Sequence, residues 1–334
     1  MFKRLPIDSF VLLMIAVVVL AALMPSLGAS DGPLHLDVIT EFGVALVFFF
    51  AGAGLSFANL AAGVTNWRLH LLVQLSTFVL FPAIGIGFMI VGRGWLPQGL
   101  LAGFFYLCAL PSTISTSIAL TTLARGNVAG AIFNATLSSL LGMVITPLLV
   151  NLWLRTGGEG MSGADMLDQF IKIATQLFLP LVAGQVARRW IAGWVGRNKA
   201  LIAKSDRLVI LLIVYSAFCD STQAGIWKQY GLITLLQTAL LSVALLAFAL
   251  SITTLLARKL GYSKEDEITG VFCGSKKSLA VGIPMAKLLM GDTPLGLIVL
   301  PIMFYHQLQI MVCTVMAQRY AARDAAPAPL STTA

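Results

Sequence analysis

Charged side chains are what this sequence has least of. Asp, Glu, Lys and Arg make up 11% of its 334 residues, where a soluble domain carries about 25%, so the chain lacks the polar surface needed to dissolve in water. Histidine is nearly absent, with three copies, and the four cysteines (Cys108, Cys219, Cys273 and Cys313) lie singly in or beside apolar stretches. No CxxC spacing occurs, which argues against disulfides and zinc, and the thiols read as small buried residues. There is no HExxH, no acid pair within an apolar run and no Ser/His/Asp constellation, which leaves an enzyme without its chemistry. What remains is apolar: 58% hydrophobic residues and a mean hydropathy of +0.90. The lipid bilayer is the expected solvent and partner. The formal charge of +8 comes from residues scattered along loops, which excludes a nucleic-acid stripe and fits basic cytoplasmic loops.

A span needs about 20 apolar residues. Runs between polar or Gly/Pro breaks predict ten spans, at 10–28, 41–60, 69–91, 99–122, 128–154, 167–190, 206–222, 230–257, 267–290 and 294–319. The first resembles a signal peptide after Lys3 and Arg4, but further spans follow it, so it is read as retained. The Ala/Pro/Ser/Thr-rich 324–334 segment reads as a disordered cytoplasmic tail. One set of loops holds most of the Lys and Arg, among them Arg68, Arg125, Arg188, Arg189, Arg258 and Lys259. The opposite set holds only Arg93, Arg155, Lys172, Lys228 and Lys287. Both termini are therefore expected in the cytoplasm of a bacterial inner membrane. Lys276 and Lys277 belong to neither set.

A constant offset of 165 residues relates the two halves. It pairs Leu107-Cys108-Ala109 with Phe272-Cys273-Gly274, Ile118 with Ile283, Gly126 with Gly291, Asn127 with Asp292, Phe50 with Tyr215 and Ser56 with Ser221. Five spans per half is an odd number, so the second half inserts upside down. The expectation is an all-α membrane protein of ten transmembrane helices in two inverted five-helix repeats, 1–160 and 161–323.

Two spans carry breaks at matching places. In the fourth, Pro111 removes a backbone donor and disfavours helix at Leu110. Seven hydroxyl side chains follow by position 122, including Ser112, Thr113, Ser115, Thr116 and Ser117. In the ninth, Gly274 and Pro284 bracket a weak helix containing Ser275, Lys276, Lys277 and Ser278. Interrupted backbone at membrane depth must be buried in protein or line a cavity, and paired interruptions point to a transport site. A mid-membrane Lys costs about 2.5–3.5 kcal/mol, and snorkelling would have to cross roughly ten residues at ~1.5 Å each. Two sources of compensation are open: carbonyls freed in the fourth span, or an anionic substrate. A buried lysine could also carry a proton as the coupling ion. Further polar candidates are Asn134, Thr136, Ser138 and Ser139 on span five and His306, Gln307 and Gln309 on span ten. Packing hydroxyls account for some of these equally well.

The turn Ala124-Arg125-Gly126-Asn127, the run Lys276-Lys277-Ser278-Leu279-Ala280-Val281-Gly282-Ile283-Pro284 and Tyr305-His306-Gln307 resemble the bile acid:sodium symporter family, in its SBF-like branch. The resemblance covers about residues 8–320. It implies a panel of spans one, two, six and seven, and a core in which broken helices 4 and 9 cross near two sodium sites. It also implies uptake of amphipathic organic anions with sodium. The chain departs from that pattern: Phe272 stands where the family's ninth span supplies a Glu, Lys276 where it supplies a Gln, and Ile118 near its fourth-span Asn. The reading is an organic-anion transporter working by alternating access without organic cofactors, its dependence on sodium put in question by the lysines. The alternative is a membrane regulator or scaffold that keeps the fold and has lost transport.

Overall fold

Backbone that must satisfy its own polar groups away from water has one local solution within a single segment, the α-helix. In the computed structural model, which describes residues 9–29, 32–54, 65–155, 163–223, 225–290 and 295–322, the described residues form helices and connecting turns and no strand. In chain order these are α1 (Ser9–Leu23), α2 (Pro25–Gly28), α3 (Leu36–Gly54), α4 (Trp67–Val91), α5 (Gln98–Ala109), α6 (Ser115–Leu123) and α7 (Val128–Val150). There follow α8 (Gly163–Arg197), α9 (Lys199–Gln223), α10 (Ile226–Lys259), α11 (Lys264–Gly274), α12 (Leu279–Leu289) and α13 (Leu295–Ala322). Lys3, Arg4, Ser56, Gly291, Asp292 and the 324–334 tail lie outside the described residues.

Among the described residues, five helices are long and apolar enough to cross a bilayer: Leu36–Gly54, Trp67–Val91, Val128–Trp153, Gly231–Lys259 and Leu295–Ala322. Their outer faces carry large apolar side chains, with Phe42 72% and Leu240 71% exposed. A surface of this kind is stable against acyl chains and would aggregate in water.

Side-chain caps set several helix starts. Asn66 accepts from Leu69 N at the head of α4, Asn127 from Gly130 N at α7, Ser263 from Asp266 N at α11 and Ser278 from Val281 N at α12. Both expected interruptions are present, with one correction. Pro111 separates α5 from α6, whereas Pro284 lies inside α12, and the second break falls at 275–278. The Gly274 side of the predicted bracket holds; a proline six residues into a helix removes one ladder bond without ending it. Ser115, Thr116 and Ser117 lie in the first turn of α6.

Helix packing forms two groups. In one, α3 runs along α8, α1 along α9, and α9 against α3; in the other, α5 packs on α4 and α13, while α10 packs on α11 and α13. Contacts between the groups run through α12 and α13, and also join α7 to α8 and α9 to α10. Glycine sets the closest approach. A Cβ on Gly52 would collide with the Leu181 carbonyl, and one on Gly184 with the Phe49 carbonyl, so α3 and α8 meet backbone to backbone. Gly184→Val is expected to lower the yield of monodisperse protein in detergent together with its thermal midpoint. Gly196→Ala, whose new Cβ would meet nothing within 4 Å, should leave both unchanged.

Candidate functional site

The two breaks meet, and the accounting of their backbone groups explains how. After Ala109 the helical ladder stops, leaving a run of carbonyls without their usual donors. Leu107 O takes the amide of Leu110, Ala109 O takes the Thr146 hydroxyl at 2.7 Å, and Pro111 O takes the amide of Ser278 at 2.9 Å. The last of these ties one break directly to the other. Cys108 O and Leu110 O are left for Lys277.

A third carbonyl is freed in α4. Residues Ser76–Leu80 form a π turn in which Phe81 N reaches back to Ser76 O. The next donor in that register would be residue 82, which is proline, so Thr77 O has no backbone partner to receive. The Lys277 ammonium fills the gap. Its Nζ donates to Thr77 O at 3.1 Å, Cys108 O at 2.8 Å and Leu110 O at 2.7 Å, and it lies 4.1 Å from the centre of the Phe81 ring. Three donors meet three acceptors, with an aromatic face closing one side. The backbone of Lys277 is held as well: its amide donates to Gln309 Oε1 and its carbonyl accepts from Gln309 Nε2, both at 2.9 Å.

Lys276 is placed differently. It is also fully buried, yet its Nζ has no hydrogen-bond partner among the described residues; the Phe272 ring lies 5.5 Å away, and the Cys273 and Cys313 thiols are within electrostatic reach. The Phe272 carbonyl accepts from Ser117 Oγ at 3.3 Å. Ser117 joins a short hydroxyl chain, with Thr113 Oγ1 2.9 Å away and Thr116 Oγ1 donating to Thr113 Oγ1 at 2.7 Å. Ser115 is exposed and Thr116 half-buried, so the chain leads inward from the molecule's surface. Ser112 donates its amide to Ser138 Oγ at 3.0 Å, and its own buried hydroxyl has no hydrogen-bond partner among the described residues. Ser275 is spent locally: its hydroxyl donates to Val271 O and its carbonyl accepts from Tyr305 OH. Ser278 caps α12.

The remaining candidates divide. His306 Nδ1 lies 3.2 Å from Gln309 Nε2, one residue removed from Lys277, and Gln307 has a buried side-chain oxygen without a hydrogen-bond partner among the described residues. Asn134 is occupied by packing, since its amide donates to Gly130 O and its oxygens accept from Gln74 Nε2 on α4. Thr136 returns its hydroxyl to Ile132 O on its own helix. Ser139 is buried on α7, one residue beyond Ser138. Sequence reasoning missed Thr77 and Phe81, although Pro82 inside an apolar run was a usable sign of a freed carbonyl. It also missed Tyr106, whose hydroxyl donates to Gly282 O at 2.7 Å and pins α5 to α12.

A second polar node lies at the heads of three helices. The Asp266 carboxylate accepts from Asn127 Nδ2 on one oxygen and Asn66 Nδ2 on the other, both at 2.8 Å. Those asparagines are the caps of α7 and α4, so one anion sits where the positive ends of α4, α7 and α11 converge.

With that geometry in hand, the likenesses to known proteins are consistent with one another. The SBF-like CPA transporter family matches residues 8–322. An uncharacterised protein of Pseudomonas aeruginosa is 49% identical over 96% of each chain. YfeH of Escherichia coli, provisionally named a symporter, is 47% identical over 94% of this chain and 93% of its own. The sodium/bile acid cotransporter 7-B of Xenopus laevis is 33% identical over 95% of this chain and 92% of its own.

Proposed function

This chain belongs to the SBF-like CPA transporter family, and from that premise we propose that it is a secondary active transporter of an organic anion. Membership makes it an integral membrane transporter and not an enzyme. The finer reading is a ten-span protein with both termini in the cytoplasm of a bacterial inner membrane, its halves (1–160 and 161–323) related as inverted repeats. The offset of 165 residues supports that reading. It separates the ends of α5 and α11, Ala109 and Gly274, and it separates Ser112 from Lys277, whose amides are each held by a side chain of the next helix but one, α7 and α13. The group of α1, α3, α8 and α9 would be the panel. The group containing both breaks would be the core that moves against it in alternating access.

One observation carries the functional reading: a buried ammonium at the paired breaks, Lys276, without a hydrogen-bond partner among the described residues. An unpaired charge at that depth is costly, and such residues mark the path of a solute. Lys276 is the proposed contact for the anionic group of the substrate, with Thr113, Thr116 and Ser117 as neutral donors nearby. Sodium is not the expected coupling ion, because lysines stand where the family resemblance puts sodium ligands; a proton is the alternative.

The test is uptake of a panel of organic anions into proteoliposomes. The native protein is expected to accumulate at least one of them, with or without sodium, and Lys276→Ala to lose that uptake. No uptake of any anion, together with no labelling of Ser115→Cys or Ser278→Cys from either side, would favour the non-transporting regulator instead.

A further inference from the structure

Lys277 and Lys276 are neighbours in sequence with opposite environments, and the satisfied one has its own consequence. We propose that the cage around Lys277 is a monovalent-cation site whose permanent occupant is the protein's own ammonium, and that it takes a small cation from solution once that side chain is removed.

Two independent departures from regular helix build the cage. The π turn followed by Pro82 exposes Thr77 O, and the Pro111 break exposes Cys108 O and Leu110 O. None of the three has a backbone donor to return to, so all would be buried and unsatisfied without a cation, which is the expensive case. The lining is neutral, three carbonyls and the face of Phe81. That composition suits a single positive charge; a divalent ion would call for carboxylates. The spacing of 2.7–3.1 Å from the cage centre to its oxygens matches ammonium or potassium better than the smaller sodium ion.

A tethered occupant cannot dissociate. The native protein therefore draws nothing from an external cation at this place, and the two breaks stay joined whatever the salt. That consequence for coupling rests on the reading of the breaks as the transport site, whereas the binding itself does not.

The experiment compares thermal midpoints of the purified full-length native protein, Lys277→Ala and Lys277→Met in ammonium, methylammonium, potassium and choline chloride at equal ionic strength. The native midpoint is expected to be the same in all four salts. Lys277→Ala should melt low in choline and rise, with saturation, as ammonium, methylammonium or potassium is added. Lys277→Met fills the cage with an uncharged stem and should melt low in every salt. A native protein that needs the added cation, an Ala variant indifferent to it, an Ala variant recoverable in none of the salts, or a Met variant responding like Ala would each overturn the proposal. Failure of anion uptake by the native protein would defeat the transport reading while leaving these midpoints to decide the cation site.

Discussion

Lys276→Met is expected to melt higher than the native protein and to carry no anion. The native side chain buries an ammonium that lacks a hydrogen-bond partner among the described residues, and a charge at mid-membrane depth costs about 2.5–3.5 kcal/mol on insertion scales. The Phe272 ring at 5.5 Å returns part of this, about 0.5–2 kcal/mol for a cation over an aromatic face. Methionine keeps an unbranched stem of similar reach and removes the charge, so a net gain of about 1–2 kcal/mol should remain. Lys277→Met, one residue away, should do the reverse. It strips three carbonyls of their partner, each worth about 1–3 kcal/mol when left buried and unpaired. Opposite signs at adjacent lysines are a demanding outcome for a melting curve. A Lys276→Met protein that melts lower than the native, or that still accumulates anion, would remove Lys276 from the role assigned to it.

Asp266→Asn is expected to be almost as damaging as Asp266→Ala, although it keeps the size and shape of the side chain. Each carboxylate oxygen accepts from a different asparagine amide. Asparagine would offer an NH2 group where an NH2 already points. Neither neighbour can turn over to compensate, because the oxygens of Asn66 and Asn127 cap α4 and α7 through Leu69 N and Gly130 N. Hydrogen bonds to a charged group contribute about 1.5–3 kcal/mol each, and with the node half-buried a loss of about 2–4 kcal/mol is reasonable for either variant. Thermal midpoints of the two variants side by side test this. A neutral Asp266→Asn would show that the carboxylate does not join the three helix heads as the structure has it.

Much of the fold was legible because its causes are local. Pro111 and the hydroxyl run predicted an interruption, and one is there. Gly274 and the lysines predicted a second, and only its far boundary was misjudged, at Pro284. The meeting of the two breaks was legible in outline; the partners of the candidate residues were not. Asn134 and Thr136 stood among the candidates with packing an equal reading, and Asn134 is taken up by Gln74 and Thr136 by its own helix. Polar side chains in apolar runs all stand out in the same way, and their partners are not written beside them.

The sequence by itself determined the solvent, the helical class and the places where the helices fail, since scarcity of charge and the missing amide of proline act wherever the chain goes. It also set the expectation that two lysines within an apolar run need compensation. Only the tertiary structure decided how. The carbonyls that hold Lys277 come from residues 200, 169 and 167 positions away, two of them freed at one break and the third at a π turn in another helix. Sequence spacing carries no record of which freed carbonyls converge, so nothing in the pair Lys276-Lys277 distinguishes the ammonium that is caged from the one left unpartnered.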